Sequence, residues 1–312
     1  MTLRLGTRAS RLAMTQSEQV AAKLREIHAI DVELVPISTS ADKSTASLKD
    51  LAAQQNGVFV AALREVVVAR DVDFAVHSLK DIPTQADPRL TLAAVPRRAD
   101  ARDVLVARDG LDLVGLHDGA RIGTGSPRRA SQLRALGRGF EIVDIRGNGE
   151  TRMARVGEDL DAVVIAAAGL ERLGMLDRAT EVLDPILMLP APGQGALACE
   201  CRADDTETTR LLAALDDPDT RATVTAERAL LATLEAGCSA PVGALAEIAL
   251  GDDGDELWLR AVVGDTSGAP TIRRSTTGTT DQARELGEQL AREMLTDGAD
   301  RIMASSNEED AS

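Results

Sequence analysis

Apolar positions along the chain fall into two rhythms, short runs that alternate or stay apolar and longer stretches that repeat at the helical period. Leu3–Gly6 reads as a strand, and Ser10–His28 as a helix with Leu12, Val20, Leu24 and Ile27 on its apolar face. Val32–Ile37 is the next strand, followed by a helical pattern over Gly57–Arg70 and strands at Val72–His77 and Leu90–Val95. This βαβ alternation predicts a mostly parallel sheet with helices on both faces. Residues 38–56 are polar and without period. That is long for a connection inside a compact domain, so the segment is read as functional or mobile.

The same rhythm restarts near Pro96, with strands expected at Val104–Ala107, Arg121–Gly123, Glu141–Ile145 and Ala162–Ala166. The stretch Ile186–Ala198 carries Pro190, Pro192, Gly193 and Gly195 and reads as a hinge that returns the chain to the first unit through a strand at Leu197–Arg202. Beyond Pro218 the order changes. A helix over Thr220–Glu235 precedes strands near Val242–Leu250, Glu256–Val263 and Thr271–Thr276 and a last helix over Thr280–Leu295. The expected fold class is α/β, with two α/β domains (1–96 plus 196–216, and 97–195) around a cleft and a small α+β C-terminal domain (217–303). The acidic stretch 304–312 is expected to be a disordered tail. Open α/β sheets bind ligands at the carboxyl ends of their strands, and clefts between domains are favoured sites.

Charge and composition narrow the partners. The formal net charge of −15 argues against nucleic acid, which needs a positive field. Tyrosine is absent and Phe and Trp are rare, which removes stacking platforms for single strands. No apolar run is long enough to span a membrane, and the N-terminus enters a strand pattern directly, so a cytoplasmic protein is expected. Lys23, Lys43, Lys49 and Lys80 are the only lysines; with the acidic surface, this suggests a cell interior rich in salt, although a high-GC codon bias would also deplete lysine.

Cys199 and Cys201 alternate along an apolar strand, and the histidines lie far off in sequence, so buried structural thiols fit better than a metal site. Cys238 differs. It sits in Glu235-Ala236-Gly237-Cys238-Ser239-Ala240-Pro241, a turn after a long helix, where a thiol is accessible. From local context alone it is either a nucleophile or an ordinary loop cysteine.

The strand ends carry the chemistry. Gly123-Thr124-Gly125-Ser126-Pro127-Arg128-Arg129 and Ile145-Arg146-Gly147-Asn148-Gly149-Glu150-Thr151-Arg152 each begin where an apolar run stops and a helical pattern starts. Such turns aim backbone N–H groups at one spot, with Ser126 placed to cap and Pro127 suited to the first helical position. Arginines there add forked donors for carboxylates or phosphates, and two clusters at matching positions imply a small ligand with several acidic groups. In the first unit, Leu5-Gly6-Thr7-Arg8-Ala9-Ser10 places Arg8 at a similar turn with Ser10 as cap. Val76-His77-Ser78-Leu79-Lys80-Asp81 sets a lysine and an aspartate directly after a strand. A carboxylate among cations is suited to offset positive charge developing on a ligand or to relay a proton.

Taken in order, these phrases, with Pro192-Gly193-Gln194-Gly195 and Glu235-Ala236-Gly237-Cys238, resemble the porphobilinogen deaminase (hydroxymethylbilane synthase) family over essentially the whole chain. The resemblance implies two periplasmic-binding-protein-like domains enclosing the cleft and a third domain whose cysteine, here Cys238, holds a dipyrromethane cofactor by a thioether bond. It implies that porphobilinogen, a pyrrole with acetate and propionate arms, loses ammonia to give an electrophilic azafulvene. Four such units would add to the primer, and water would release linear hydroxymethylbilane. Asp81 matches the catalytic aspartate. Arg8, Arg128, Arg129, Arg146, Arg152 and Arg172 match arginines that hold carboxylate arms or steer the growing chain, and Lys80 matches a lysine that pairs with cofactor carboxylates. Ser10, Thr124 and Ser126, with Gly147 in its turn, match groups that offer hydroxyls or amides. Segment 38–56 corresponds to a mobile loop over the cleft, and Phe59 to an aromatic near the pyrrole rings. A monomer is implied.

The chain departs from the family pattern at Gly125, where serine is common, at Pro127, along Gln54–Val58 and at Gly149-Glu150. Two rival readings are a solute-binding protein and a homologue that binds tetrapyrrole without polymerising it. The first lacks an export segment and has no use for Cys238, and Asp81, Lys80 and Cys238 count against the second.

Overall fold

A computed structural model of the chain describes residues 1–37, 59–237, 240–251 and 254–309. In chain order it begins with β1 (Thr2–Arg8), α1 (Arg11–His28), β2 (Asp31–Ile37), α2 (59–68), β3 (Phe74–Ser78) and β4 (Leu90–Ala94). It continues with β5 (Asp103–Ala107), β6 (Arg121–Gly123), α3 (Pro127–Ala135), β7 (Glu141–Val143), α4 (Gly149–Ala154), β8 (Ala162–Ala166), α5 (Ala167–Arg172) and β9 (Glu181–Val182). Then come β10 (Leu197–Arg202), α6 (Thr206–Ala213) and α7 (Pro218–Thr233). The chain closes with β11 (Val242–Gly251), β12 (Gly254–Gly264), β13 (Thr271–Thr279), α8 (Ala283–Thr296) and α9 (Ala299–Glu309). The expected loop over 38–56 and the attachment cysteine Cys238 lie outside the described residues.

The chain divides into two compact units, Met1–Ala99 with Ala196–Arg221, and Asp100–Gly195 with Ala222–Ser312. The first is built on a five-stranded sheet of order β2-β1-β3-β10-β4. β1 runs parallel to β2 and β3, and β10 runs antiparallel to both β3 and β4. The second repeats the plan with order β7-β6-β8-β5-β9, where β6 is parallel to β7 and β8, and β5 is antiparallel to β8 and β9. In each sheet the antiparallel strand is the first one made after the chain crosses over from the other unit. The remaining strands share one direction, as the βαβ rhythm predicts, so their carboxyl ends gather on one edge.

Each element has a local cause. Ser10 caps α1 by accepting from Ala13 N at 3.3 Å, and Ala29 ends it in the left-handed conformation, its N–H bonded to Arg25 O. Val20, Ala21 and Leu24 on α1 then pack with Leu3, Leu5, Phe74, Val76, Cys199 and Cys201 on one face of the first sheet. Full burial of Phe74 alone stabilises by about 1.5–3 kcal/mol. On the opposite face Leu63 and Val67 of α2 cover Ala75 and Val72. Cys199 and Cys201 are free and buried, as expected, and burial pushes the Cys199 thiol up to about 12.

Within the second unit, the stretch expected as a small α+β C-terminal domain forms a sheet of its own beside the α/β part. The antiparallel sheet β11-β12-β13 keeps its own core with α7, α8 and α9, around Leu230, Leu257, Leu259, Leu290 and Met294. Polar links tie it to the α/β part: Glu227 accepts from Gly193 N at 2.6 Å, Arg134 donates to Thr266 O, and Arg273 donates to Ile186 O at 3.0 Å. Residues 304–309 of the expected tail continue α9 instead. Ile302 is buried in that core, and Ser305 Oγ donates to Asp265 at 2.8 Å, which fixes the helix where the acidic composition alone suggested disorder. Among the described residues, no helix is long and apolar enough to cross a membrane.

Candidate active site

In the first unit the candidate residues stand where β1 and β3 end. β1 finishes at Arg8, whose guanidinium carbon lies 3.8 Å from the centre of the Phe59 ring at the start of described α2. A cation over an aromatic face at that distance is attracted by the ring quadrupole. Ser10 is engaged as the cap of α1, so its hydroxyl has a structural duty beside any ligand contact. β3 ends in Ser78 and passes into a single 3-10 turn, Leu79–Asp81, with Leu79 buried beneath it. The buried leucine anchors the turn, and Lys80 and Asp81 are left half-buried above it. Asp81 has its carboxyl raised above the usual range. Burial is the larger cause, and the positive charges of Lys80 and Arg8 oppose it. A carboxyl so balanced changes protonation readily, which suits it to proton transfer.

In the second unit the candidates follow β6, β7 and β8. Thr124 is buried and accepts from Ser126 N at 3.2 Å, which closes the turn before α3. Ser126 holds the N-cap position with Pro127 next, as expected, but its hydroxyl makes no capping bond. Gly125 has a steric reason: a Cβ there would lie 2.6 Å from Ile145 O, so the bare backbone lets this turn approach the β7 turn. After β7, Arg146 donates to Asp144 at 3.0 Å. Gly147 takes φ 106°, a value that favours glycine, and its carbonyl accepts from Arg152 Nε at 2.8 Å. Asn148 caps α4 by accepting from Thr151 N at 2.8 Å. Arg172, at the end of α5, donates to Gly195 O at 2.7 Å.

Arg128 and Arg129 are set differently from surface anion hooks. Both are buried, and each donates at 2.8 Å to a different oxygen of Asp103, which is fully buried. Arg128 also donates to Leu189 O at 2.7 Å and Arg129 to Val164 O at 3.0 Å. Asp103 accepts a further bond from Gln194 Nε2 at 2.8 Å. The two guanidiniums hold the Asp103 carboxyl well below the usual carboxylate range despite its burial. Asp103 was missed in the sequence, and Gln194 stood only within the Pro192–Gly195 phrase, with no role given to it. An aspartate at the head of an apolar strand was the one visible sign, and its arginine partners lie on a helix far along the chain.

The second unit's donor set suits a ligand with several carboxylates. Arg129 Nε is buried without a hydrogen-bond partner among the described residues. Arg152 has its pKa lowered by burial first and then by the neighbouring charges of Arg129 and Arg146, with Asp144 opposing. Crowded guanidiniums of that kind favour an anionic ligand. Among the described residues there is no cluster of His, Cys, Asp and Glu that could hold a metal ion.

Comparisons with known proteins bear on this arrangement. Residues 3–210 match the family model described as "Porphobilinogen deaminase, dipyromethane cofactor binding domain". Residues 221–296 match "Porphobilinogen deaminase, C-terminal domain". The chain is similar to the porphobilinogen deaminase of Mycobacterium marinum, at 55% identity over 96% of each chain. It is equally similar to that of Mycobacterium tuberculosis, at 55% identity over 96% of this chain and 98% of the relative. Among solved structures, the methionine-binding protein MetQ aligns with 69% of this chain and 89% of its own at 12% identity and a TM-score of 0.42, a likeness too slight to carry weight. With both family models matched in order and relatives aligned from end to end, the chain belongs to the porphobilinogen deaminase family.

Proposed function

We propose a division of labour in which Asp81 manages protons and positive charge, the arginines and Lys80 hold carboxylates, and Cys238 carries the cofactor. The reaction is that of the family: a transferase joins four porphobilinogen molecules head to tail, with loss of ammonia, and releases linear hydroxymethylbilane. The cofactor is dipyrromethane. When bound, it supplies the pyrrole α-carbon to which the first substrate unit is added.

The Asp81 carboxylate accepts hydrogen bonds from pyrrole N–H groups and offsets the positive charge that grows on the substrate ring as its aminomethyl nitrogen leaves. Once the new carbon–carbon bond forms, the same carboxylate takes up the proton that the attacking α-carbon must lose. Arg8, stacked on Phe59, and Lys80 hold carboxylate arms beside Asp81 and keep its charged form accessible. In the second unit, Arg146 and Arg152, the Ser126 hydroxyl and the turn at Gly147 receive further arms, and Arg129, buried on Asp103, adds its positive charge from beneath. Arg128 and Thr124 brace that surface from beneath. Arg172, bound to Gly195 O, steers the lengthening chain. The protein works as a cytoplasmic monomer without nucleic acid.

One observation carries this reading: a half-buried carboxyl at a strand end, raised by burial and flanked by two cations. The test is Asp81→Asn. Removal of a proton-transfer group costs about 10²–10⁴-fold in kcat, with cofactor still attached by intact mass. Turnover within a few-fold of wild type would refute the role.

A further inference from the structure

Three polar side chains meet inside the first unit, beneath α2. Glu200 lies in β10, an interior strand whose residues are all buried. Arg64 of α2 grips its carboxylate with a fork, Nε to Oε2 at 3.0 Å and Nη2 to Oε1 at 2.7 Å. On β3, His77 Nε2 comes within 3.3 Å of Glu200 Oε2. That nitrogen is buried and lacks the alignment of a hydrogen bond, with no other partner among the described residues. Burial lowers the imidazole to about 4 against the pull of Glu200, so His77 is neutral at physiological pH.

Such a cluster is costly. The Arg64 and Glu200 side chains keep only 12% and 7% of their surface exposed, and a desolvated ion pair seldom stabilises more than well-packed apolar side chains would. Its place in the fold offers a reason for it. The strand register sets His77 against Ala198 and Glu200 against Ala75, so Glu200 and His77 share the sheet face that α2 covers. Along α2, Arg64 follows Phe59, the residue that carries the Arg8 guanidinium. Along β3, His77 precedes the turn that holds Lys80 and Asp81. On the other side of β10 the register shifts between Cys199 and Glu200, an irregularity of the kind that re-aims side chains near active sites.

We propose that Glu200 is a positioning residue for the reaction: by gripping Arg64 and abutting His77, it fixes the Phe59–Arg8 stack relative to Lys80 and Asp81. The proposal rests on the reading of Asp81 as the catalytic carboxylate. Nothing in it requires Glu200 or Arg64 to touch substrate. Their effect passes through the helix on one side and the strand on the other.

Glu200→Gln tests it, since the amide keeps the size and one acceptor but removes the charge that holds Arg64. The loaded enzyme, its cofactor content checked by intact mass, is assayed with porphobilinogen well below the variant's unfolding temperature. A displaced stack lowers kcat by about 10- to 100-fold, while KM stays within about twofold. A double-mutant cycle with Phe59→Leu separates positioning from bulk stability. In the Phe59→Leu background, Glu200→Gln costs no more than about twofold, because the stack it positions is already gone. Full additivity of the two losses, or an unchanged kcat in the single variant, overturns the proposal. If Glu200→Gln does not fold, Arg64→Met enters the same cycle from the other partner, with the same expected and contrary results. Asp81→Asn, assayed alongside, separates the two readings. An active Asp81→Asn sinks the catalytic role, whereas an additive cycle with an inactive Asp81→Asn sinks the positioning role alone.

Discussion

Asp103→Asn is the sharpest perturbation of the second unit, because the change removes a charge and almost no volume. Asp103 is fully buried and accepts one bond from each of Arg128 and Arg129, at 2.8 Å, and another from Gln194. With the charge gone, two buried guanidiniums lose their shared counter-ion, and their carbonyl partners Leu189 and Val164 cannot replace it. Breaking a buried pair from one side costs about 3–5 kcal/mol. For a unit of this size that lowers Tm by roughly 6–20 °C. The assay is urea and thermal unfolding followed by fluorescence of Trp258, the chain's single tryptophan, which sits on β12 within the same unit. The pH dependence gives a second check. Asp103 is depressed in the fold, so its contribution is present above the unfolded carboxyl range, near pH 4. It is lost only as pH falls toward the depressed folded value. Wild type therefore shows a loss of stability in that acid window that Asp103→Asn lacks. A stability cost below about 1 kcal/mol, the worth of an exposed pair, would refute the reasoning.

Asp81 carries the opposite sign. Its folded pKa is raised, so its ionisation at neutral pH works against folding, and Asp81→Asn should raise Tm at pH 7 while it removes turnover. An unchanged or lower Tm contradicts the burial argument. The acid limb of kcat/KM in the wild type should fall above the ordinary aspartate value of about 4, and a limb at or below that value contradicts it. Gly147→Ala forces a side chain onto φ 106° with its Cβ 3.0 Å from Thr151, and should cost about 1–3 kcal/mol and loosen the carbonyl that holds Arg152; equal stability and turnover would contradict the strain. Cys199 and Cys201 should resist alkylation in the native protein and react fully in denaturant, since burial raises both thiols. Rapid native labelling of either would place it nearer solvent than the fold does.

Much of this architecture was legible in the sequence because period and punctuation carry it. The helix capped by Ser10, the strands at Arg121–Gly123, Ala162–Ala166 and Leu197–Arg202, and the turn after Ser126 fall where apolar rhythm and capping residues put them. The two-residue strand β9 and the helices α6 and α9 escaped, since a strand that short has no period and α9 is held by distant contacts of Ile302 and Ser305. The candidate site was visible as strand-end motifs. What lies behind it was not. Nothing local marks Asp103 as the partner of Arg128 and Arg129, nor Glu200 as the partner of Arg64, because those pairs exist only once the sheets form. For the same reason the sequence could not distinguish the buried guanidiniums of Arg128 and Arg129 from the exposed one of Arg146.

Intact mass spectrometry on protein expressed in a cell that makes porphobilinogen tests the central claim most directly. The expected result is an added mass of two linked pyrrole units on the wild-type chain, absent from Cys238→Ala and retained in Asp81→Asn. A wild-type chain that stays unmodified, even after incubation with porphobilinogen, or a Cys238→Ala chain that still carries the adduct, would contradict it.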